Sequence, residues 1–493
     1  NEPTIQPDQP ISTAPRLPLN FPLRPTFVKL CPPSLRPFPL LPSLLSFPLR
    51  APTPMPLYSP FDAQTHCGMP REAGDKCSIM PNRKETTGAT RHAGYGCNTL
   101  HAKHRAGYAE CKAQAGTGET MEKQEETRPY VSWELMHDFM VDAFVGYEIP
   151  REDAEICADV LLEADRRGIE SHGCNRFKPI YLDRIRKGTL LPKTNIEILK
   201  ETPTTLVFDA HDGMGMVASH HMMTRLIEKA KTYGMAGGAI RNSTHYGIAG
   251  YWTGMATDQG LIGITGTNAR PSIAPTFGVE NMMGTNPLTF GLPTDEPFPF
   301  CIDCATSIVQ RGKIEYWERS GKPTPPSCVI ARDGSAMTDS ATILKALVNG
   351  EAALAPLGGI GEETAGYKGY GYAAVVEILS AALAGGKFMK ALSGVDGAGN
   401  PRMYSLGHFF FVIDPNAFMG ENEFRAIAGQ ICRNLRASEK APGQDRIFTA
   451  GEKEYLAWLD RKDKGVPVSE SVQRELVAVR NELGLDYHFP FER

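Results

Sequence analysis

Apolar residues take up a regular spacing in this chain only from about residue 130 onward. Ser132 suits the N-cap of a helix through WELMHDFMVDAF, because its hydroxyl can accept a hydrogen bond from a free backbone N–H of the first turn. Pro150 opens a second predicted helix, REDAEICADVLLEADRRG, since proline is favoured at a helix start. One face of that helix is apolar and is formed by Ile156, Val160, Leu161 and Ala164.

From Leu206 the spacing changes, and short runs rich in β-branched and aromatic residues alternate with helical stretches. The predicted strands are TLVFDA, AGGAIR, LIGITGT, FCIDCAT and FFFVIDP, and the helices include HHMMTRLIEKAKTYG and YAAVVEILSAAL. Further helices are expected from Glu421, Glu452 and Val468. Strands that alternate with helices in this way predict an α/β fold.

The amino-terminal quarter differs from the rest in composition. Residues 1–60 hold 17 of the 39 prolines, and proline at that density breaks helices and removes backbone donors. We therefore expect a disordered, dispensable extension. The alternative is an organelle transit peptide, because five Arg and Lys outnumber two acids there, although the prolines disfavour the amphipathic helix of such peptides. Candidate metal ligands in this quarter are irregularly spaced and predict scattered linker residues: Cys67, Cys77, Cys97, His101, His104 and Cys111.

Composition narrows the class of protein. Of 493 residues, 41% are hydrophobic and 22% charged, which is typical of a globular protein with a large core. A net charge of −4 gives no electrostatic reason to expect nucleic acid or an anionic membrane as a partner. No apolar run approaches the roughly 20 residues that a membrane-spanning helix needs. The 11 cysteines are too sparse for a disulfide framework, so we expect reduced thiols and a cytoplasmic protein.

The segment TTLVFDAHDGMGMVASHH contains a possible dinucleotide-binding glycine turn. Gly213, Gly215 and Ala218 have the spacing of such a turn between a predicted strand and a predicted helix. A Rossmann domain would also need an acid near the end of the next strand, to bind the ribose. That strand ends in Arg241 and Asn242 instead. The pattern therefore favours a turn that only joins a strand to a helix.

Two clusters that contain histidine offer chemistry for a small acid. In GIESHGCNRF, the guanidinium of Arg176 can bind a carboxylate through two hydrogen bonds, and Ser171 and His172 can bond its other oxygens. The alternative for this cluster is an ordinary helix end with a glycine stop. In RNSTHYGIAGYW, His245 follows a predicted strand, where an imidazole can exchange a hydroxyl proton near neutral pH. A single loop histidine is, however, more often a surface or capping residue.

Three further motifs suggest contacts with a cofactor. In MMGTNPLTFGLPT, the turn around Asn286 suits a close approach of the backbone to a ligand. In FCIDCAT, the carboxylate of Asp303 can hold a histidine ring or a ribose hydroxyl by accepting a hydrogen bond from it. Cys301 and Cys304 would lie on opposite faces of this strand, so we interpret them as small buried residues rather than a redox pair. In AGYKGYGYAAVVEIL, Lys368 lies among glycines just before an apolar helix. The free backbone N–H groups at such a helix start, together with a lysine, can bind a phosphate.

The order of these motifs is more specific than any one of them. GIESHGxxR, RNSxHxG, GTNPxxFxxP, DxATSxxxxGK and KGYG resemble, in this order, the type-2 malate/L-lactate dehydrogenase family, from about residue 130 to about residue 490. The resemblance implies a non-Rossmann nicotinamide-binding domain with a helical domain, NAD or NADP as the cofactor, and a homodimer. It implies hydride transfer between the nicotinamide and C2 of a small 2-hydroxy or 2-oxo acid of the malate or L-lactate type.

The resemblance also implies roles for single residues. His245 matches the family's acid/base histidine. Ser171, His172 and Arg176 match substrate-binding residues, with His172 as the second candidate for acid/base catalysis. The positions that match or adjoin cofactor contacts are Ala269, Asn286, Asp303, Cys304, Ala305, Lys368 and Gly369.

Several departures from the family pattern lie on the cofactor side. Ala269 stands where serine or threonine is common, Cys304 where methionine is common, and Ala450 replaces the proline of a PGE turn. The segment before Lys368 is also longer than usual. The choice between NAD and NADP therefore stays open.

The expected regions are a disordered extension (1–128), a helical and substrate-pocket region (129–250), a cofactor-binding region (251–420) and a C-terminal helical region (421–493) that packs back on the amino-terminal part. No metal is expected.

Two other functions remain open. One is an NADPH-dependent reductase of a cyclic 2-imino acid, which needs the same hydride and proton geometry, and the other is a catalytically silent binding protein.

Overall fold

The computed structural model describes residues 128–492. This part of the chain holds ten helices of nine residues or more and eleven strands. The helices are α1 (Trp133–Gly146), α2 (Arg151–Arg166), α3 (Gly215–Tyr233), α4 (Ala249–Thr257), α5 (Arg311–Arg319), α6 (Ser340–Asn349), α7 (Gly366–Ala382), α8 (Glu421–Ala437), α9 (Glu452–Arg461) and α10 (Glu470–Leu483). The strands are β1 (Tyr130–Val131), β2 (Glu197–Glu201), β3 (Thr205–Asp209), β4 (Met235–Ser243), β5 (Ile262–Thr267), β6 (Leu288–Leu292), β7 (Phe300–Cys304), β8 (Val329–Ala331), β9 (Ala352–Leu354), β10 (Leu406–Ile413) and β11 (Val466–Pro467).

A seven-stranded sheet forms the centre, in the order β2-β3-β4-β10-β5-β6-β7. Neighbouring strands are antiparallel except for the parallel pair β3 and β4. β10 lies in the middle, with Phe409 opposite Ala239 of β4 and Gly266 of β5, and its residues are almost all buried. Helices and strands alternate along this part of the chain, which confirms the predicted α/β class. Strands from both sides of residue 250 share the sheet, and the expected region boundaries stay a prediction.

The largest hydrophobic core lies between the sheet and the amino-terminal helices. α1 packs on α2, α2 on α3, and α3 on β4. The predicted start of α1 is confirmed, because the Ser132 hydroxyl accepts a hydrogen bond of 3.2 Å from a backbone N–H of the first turn. The apolar face of α2 is also confirmed. Val160, Leu161 and Ala164 are fully buried, and Ile156 packs against the same core.

The last described elements return to the amino-terminal helices. β1 pairs with β11, with Val131 opposite Val466. α10 packs on α1, and α9 contacts α2. As a result, side chains from α9 lie next to the loop that leaves α2, where the GIESHGCNRF motif begins.

Backbone packing explains the glycine turn between β3 and α3. Gly215 is the first residue of α3, and a Cβ atom there would lie 2.2 Å from the carbonyl oxygen of Thr244. Only glycine leaves room for the chain that leaves β4 to cross the start of this helix. Arg241, near the end of β4, is paired with Asp209 of β3 at 2.8 Å. These contacts support the interpretation as a turn that joins a strand to a helix.

Within residues 128–492, no helix is both long and apolar enough to cross a membrane. In the same range, no group of three or more His, Cys, Asp or Glu side chains is placed to hold a metal ion. The predicted extension, with its scattered cysteines and histidines, lies outside the described residues except for its last position, 128.

Candidate active site

Asp165 holds the backbone of the loop that carries the GIESHGCNRF motif. Its Oδ2 atom accepts the N–H of Cys174 at 2.8 Å, and burial raises the pKa of its carboxyl to about 7. Gly173 lies against the same carboxyl, and a Cβ atom there would be 2.1 Å from Oδ1. The buried carboxyl and the glycine together set the path of the loop, because no larger residue fits between them.

Two arginines that are distant in sequence, Arg128 and Arg461, fix the start of this loop. Arg461, on α9, donates to the carbonyl oxygen of Asp165 at 2.8 Å and to the Glu170 carboxylate at 2.6 Å. Arg128 donates to the other oxygen of the Glu170 carboxylate at 2.7 Å. The Arg461 side chain is only 7% exposed, so its ion pair with Glu170 is largely shielded from solvent. The loop is therefore anchored to the C-terminal helices.

The three predicted substrate-binding residues are brought together. Ser171 Oγ lies 2.9 Å from Nδ1 of His172, and Nε of Arg176 donates to the carbonyl oxygen of Ser171 at 2.5 Å. Burial, followed by the charge of Arg176, lowers the pKa of His172 to about 4, so its ring is neutral near pH 7. No hydrogen bond within residues 128–492 engages the two terminal nitrogens of Arg176, which leaves them for a carboxylate.

His245 lies beside His172. The two rings stack with centroids 5.7 Å apart and planes inclined by 23°. Nδ1 of His245 is 2.6 Å from the hydroxyl of Tyr181. Nε2 makes no hydrogen bond to a described residue and is the nitrogen left for a substrate. Burial, followed by nearby positive charges that include Arg184, holds the pKa of His245 well below its usual value.

Tyr181 reaches His245 from an irregular helical segment. Phe177–Leu182 form a π-helical turn, a wide helix that is frequent at functional sites. Pro179 lies within this turn and has no N–H to contribute to a regular helix. Burial raises the pKa of the Tyr181 phenol, so the hydroxyl stays protonated. Because a hydroxyl can donate or accept, it can hold Nδ1 of His245 in either tautomer.

Asp303 is the penultimate residue of β7 and positions the start of α4. Its Oδ2 atom accepts the N–H of Gly250 at 2.7 Å, and its Oδ1 atom accepts the hydroxyl of Thr289 at 3.0 Å. Burial raises the pKa of the Asp303 carboxyl. These bonds fix the helix that follows the His245 loop, and they leave each carboxylate oxygen a second lone pair for a ligand.

The amide oxygen and the amide nitrogen of Asn286 both make hydrogen bonds within the chain. Its Oδ1 atom accepts the N–H of Ala269 at 3.2 Å, and its Nδ2 atom donates to the carbonyl oxygen of Ala373 at 3.1 Å and to Glu377 at 2.8 Å. The side chain is fully buried. Asn286 thus ties Ala269, which follows β5, to α7, and a direct cofactor contact from it stays a prediction.

Lys368 stands exposed in the first turn of α7. The next residue, Gly369, packs on the backbone of Leu357, from which a Cβ atom would be 2.1 Å away. Leu357 in turn donates its N–H to the carbonyl oxygen of Thr306 at 2.7 Å. The lysine turn and the stretch after Asp303 are therefore neighbours, although they are about 60 residues apart in sequence.

Cys301 and Cys304 are both free thiols and partly buried. Cys301 lies 3.8 Å from the Thr253 hydroxyl, whereas Cys304 lies 4.0 Å from the carbonyl oxygen of Leu288. Burial raises the pKa of the Cys301 thiol to about 11 and also raises that of Cys304. Both thiols are therefore protonated near pH 7, and they are poor nucleophiles.

Two adjoining cavities are lined in part by four of the predicted site residues. The smaller, of about 110 Å³, is lined by Ser171 and His172 from the loop and by Asp303 and Ala305 from the end of β7. The larger, of about 300 Å³, shares Asp303 and extends to Gly451, in the turn that resembles PGE. The other predicted site residues lie outside both linings: Arg176, His245, Ala269, Asn286, Cys304, Lys368 and Gly369.

Known proteins resemble the chain over most of its described part. The sequence profile of a family described as malate/L-lactate dehydrogenase matches residues 131–477. The malate dehydrogenase of Pyrococcus horikoshii is 39% identical over 351 residues, which span 71% of this chain and 94% of the relative. The L-sulfolactate dehydrogenase of Methanocaldococcus jannaschii is 37% identical over 348 residues, which span 70% of this chain and 95% of the relative. A crystal structure of malate dehydrogenase from Entamoeba histolytica matches with a TM-score of 0.71 at 40% identity, over 74% of this chain and 100% of that chain.

Proposed function

This chain belongs to the malate/L-lactate dehydrogenase family, and we propose that it transfers a hydride between NAD or NADP and C2 of a small 2-hydroxy or 2-oxo acid. Relatives are named for malate and for L-sulfolactate, which are both 2-hydroxy acids. The observation that carries the proposal is the ring of His245, held by Tyr181 and stacked on His172. This arrangement supports an acid/base role for His245, and the charge of Arg176, which lowers the pKa of His245, suits a carboxylate in the same pocket.

His245 exchanges the proton in this proposal. In alcohol oxidation, Nε2 of the neutral ring takes the proton of the C2 hydroxyl, in the tautomer whose Nδ1 proton is directed at the Tyr181 hydroxyl, 2.6 Å away. The N–H of Gly247, 3.3 Å from Nδ1, donates to that nitrogen only in the other tautomer. The lowered pKa of His245 keeps the neutral form populated near pH 7. In reduction, Nε2 gives a proton to the C2 oxygen. The negative charge of a bound acid favours loading of that proton, because it offsets the nearby arginines and raises the pKa of His245.

Arg176 binds the C1 carboxylate of the substrate. Its two terminal nitrogens form a planar fork that matches a carboxylate, and its Nε bond to Ser171 fixes the direction of that fork. The Ser171 hydroxyl and the neutral ring of His172 add hydrogen bonds to the same acid. The substrate is thereby oriented with C2 near His245.

The described residues fit a nicotinamide dinucleotide. Asp303 and Ala305 border the cavity that also holds Ser171 and His172, and Ser307 carries a buried hydroxyl without a partner among residues 128–492. Lys368 lies in the first turn of α7, where free N–H groups and the helix dipole favour a phosphate. When bound, the cofactor accepts or supplies the hydride. The remaining residues of the proposed cofactor site are Ala269, Asn286, Cys304 and Gly369.

A substrate panel tests this function. The full chain is mixed with NADH or NADPH and with pyruvate, oxaloacetate, sulfopyruvate or a cyclic 2-imino acid, and the absorbance of the reduced cofactor is followed. We expect oxidation of at least one cofactor by at least one 2-oxo acid. Turnover of the imino acid alone would instead identify an imine reductase. No turnover with any combination would contradict the proposal and favour a silent binding protein.

We also propose that the chain forms a homodimer through an apolar groove beside α8. The groove encloses about 920 Å³ and is lined by Phe418, Met419, Ile427, Ile431 and Leu435 among other apolar side chains. All five are exposed, and Met419 is 85% exposed. Large apolar side chains that are exposed together in one groove mark a surface for binding, and a symmetric second copy is the commonest occupant in soluble enzymes.

Charge placed in the groove should separate the two copies. We expect Ile431→Glu to be monomeric, because burying a carboxylate in an apolar interface is costly. Light scattering after size-exclusion chromatography measures the mass of each form. Gln430→Glu, which adds the same charge on α8 outside the groove, should stay dimeric. A monomeric unmodified chain, or a dimeric Ile431→Glu variant, would contradict this interface.

For the cellular compartment, we propose the cytoplasm, as the sequence predicts. The described cysteines are free thiols, a state that the cytoplasm maintains: Cys157, Cys174, Cys301, Cys304, Cys328 and Cys432. We therefore keep the cytoplasm as the proposed location and an organelle as the alternative. Microscopy of the full chain with a C-terminal fluorescent tag distinguishes the two.

A further inference from the structure

Helix α7 has one apolar face that the described residues leave uncovered. The exposed positions from residue 371 to residue 383 carry no charge, and they recur three or four residues apart, which is the spacing of one helix face. The side chain of Ile378, for example, is 61% exposed. A helix face that meets water usually carries polar and charged residues, so this pattern is typical of a helix that another surface covers. The residues of this α7 face are Gly371, Tyr372, Val375, Ile378, Ala382 and Leu383.

Gly371 is a glycine that the packing within the described chain does not require. Among residues 128–492, no heavy atom outside its own helix backbone and chain neighbours lies within 4 Å of a Cβ built there, and its φ is not positive. Gly366 and Gly369 of the same helix, in contrast, pack directly on backbone carbonyl oxygens. A glycine inside a helix costs about 1 kcal/mol relative to alanine. The missing side chain of Gly371 leaves room for a close approach by a surface other than the described residues.

The α7 face and the groove beside α8 lie on the same side of the central sheet. The largest core of the described residues packs on the opposite side, and it includes Phe410 and Val412 of β10 but no residue of α7 or α8. Side chains alternate along a strand, so Ile413 points away from that core, and it lines the groove together with Ile262 of β5. α7 contacts the same two strands, β10 and β5. One side of the sheet therefore carries both an apolar helix face and an apolar groove.

The α7 face and the groove also match in length. At 1.5 Å per residue, the face from Gly371 to Leu383 spans about 18 Å, and the α8 side of the groove from Glu423 to Leu435 spans about 18 Å. Nine large apolar side chains of the two features are exposed. At about 100 Å² for each half-exposed side chain, they leave about 900 Å² of apolar surface, which is more than a typical monomer exposes in one patch and close to one partner's share of a standard interface.

We propose that α7 of each copy packs into the groove beside α8 of the other copy. A two-fold axis makes this contact occur twice, because each copy presents both the helix face and the groove. A helix that lays an apolar face in a groove, with anchors three and four residues apart, is a recurring mode of recognition. This inference rests on the proposed homodimer and names what fills its groove. It also brings the second copy against the helix whose first turn carries Lys368.

A mixture of two variants of the full chain tests this pairing. Ile378→Lys alters only the α7 face, and Ile431→Glu alters only the groove. We expect each variant alone to be monomeric, because each would bury a charge in both contacts of its dimer. We expect their equimolar mixture to dimerise, because one contact of the mixed dimer is unaltered and the other brings the lysine and the glutamate together. Light scattering after size-exclusion chromatography measures the mass.

Val348→Lys is the matched control, because Val348 is 66% exposed near the end of α6 and belongs neither to the α7 face nor to the groove. It should stay dimeric. A dimeric Ile378→Lys variant would overturn the pairing and point to residues 1–127 as the cover of α7. A mixture that stays monomeric would also overturn it and point to like helices in contact. A dimeric Ile431→Glu variant would refute the groove as the interface, which is the failure of the proposed homodimer surface itself.

Gly371→Leu tests the close approach without a change of charge. The open space around Gly371 within the described chain lets the variant fold, whereas the added side chain obstructs a helix seated in the groove. We expect the dissociation constant of the dimer, measured by analytical ultracentrifugation, to rise by about tenfold or more. Gly312→Leu is the control, since Gly312 lies in helix α5 with equally open surroundings, and its dimer should be unaffected. A Gly371→Leu dimer as tight as that of the unmodified chain would overturn the packing of α7 in the groove.

Discussion

Replacement of His245 by asparagine should lower kcat by about 100- to 10,000-fold, which is the usual contribution of a positioned acid/base group. Asparagine has a similar size and can still accept the Tyr181 hydroxyl, so the surrounding loop should keep its path. It cannot exchange a proton near neutral pH. Steady-state kinetics with the best substrate of the panel measures kcat. Fluorescence titration with NADH and NADPH should show nearly unchanged cofactor binding.

The control for this variant is His221→Asn, which removes an exposed histidine of α3. It should retain the unmodified kcat. A His245→Asn enzyme with an unchanged kcat would remove His245 from the acid/base role. The stacked neighbour His172 would then be the second candidate, since it is the other imidazole at the site.

The second large effect is expected for Gly173→Ala. The added methyl group would lie 2.1 Å from the buried Asp165 carboxyl, so either the loop or the carboxyl must move. A displacement of about 1 Å at substrate-positioning groups can lower catalysis by about 100-fold, and we expect that loss in kcat/KM. Overpacking of this kind should also lower the free energy of unfolding by about 1–3 kcal/mol. Kinetics and urea denaturation measure the two effects.

Gly397→Ala provides the comparison for Gly173→Ala. Gly397 is exposed, has no neighbouring atom within 4 Å of its added Cβ, and does not require a positive φ. We expect its kcat/KM and stability to match those of the unmodified chain. If Gly173→Ala behaved in the same way, the tight contact with Asp165 would not control the substrate loop.

Local features of the sequence were sufficient to predict much of the fold. Ser132, Pro150 and the apolar face of α2 identified the first two helices, because capping and helical periodicity are properties of neighbouring residues. The strand FFFVI was equally clear, since a run of apolar residues suits a central strand. β2, in contrast, consists entirely of exposed residues and was not predicted. It is a strand because of its pairing with β3, and pairing partners cannot be identified from the segment itself.

The candidate active site likewise contains residues that local motifs predict and residues that only the fold brings into place. The ordered motifs led to His245, His172, Ser171 and Arg176, which the structure places together. Tyr181 was missed, because a tyrosine in YLDRI has no signal that separates it from a core residue. Only the fold places its hydroxyl on Nδ1 of His245.

The residues that hold the substrate loop were missed for a similar reason. Asp165 is one carboxylate among several in an acidic helix, and only its burial distinguishes it. Arg461 contacts Asp165 and Glu170 across separations of 296 and 291 residues. Contacts of such range leave no pattern in a single sequence, since the spacing between the partners carries no regular period.

The contact between Arg461 and the substrate loop has a consequence for synthesis of the chain on the ribosome. The loop around Glu170 emerges from the exit tunnel long before residue 461 is translated, because synthesis proceeds at about 5–20 residues per second. During that interval the nascent loop lacks the arginine that pairs with Glu170. The proposed substrate-binding loop is therefore completed only after a further 291 residues have been translated. A product of premature termination before α9 would lack this support and should be released without a competent binding loop.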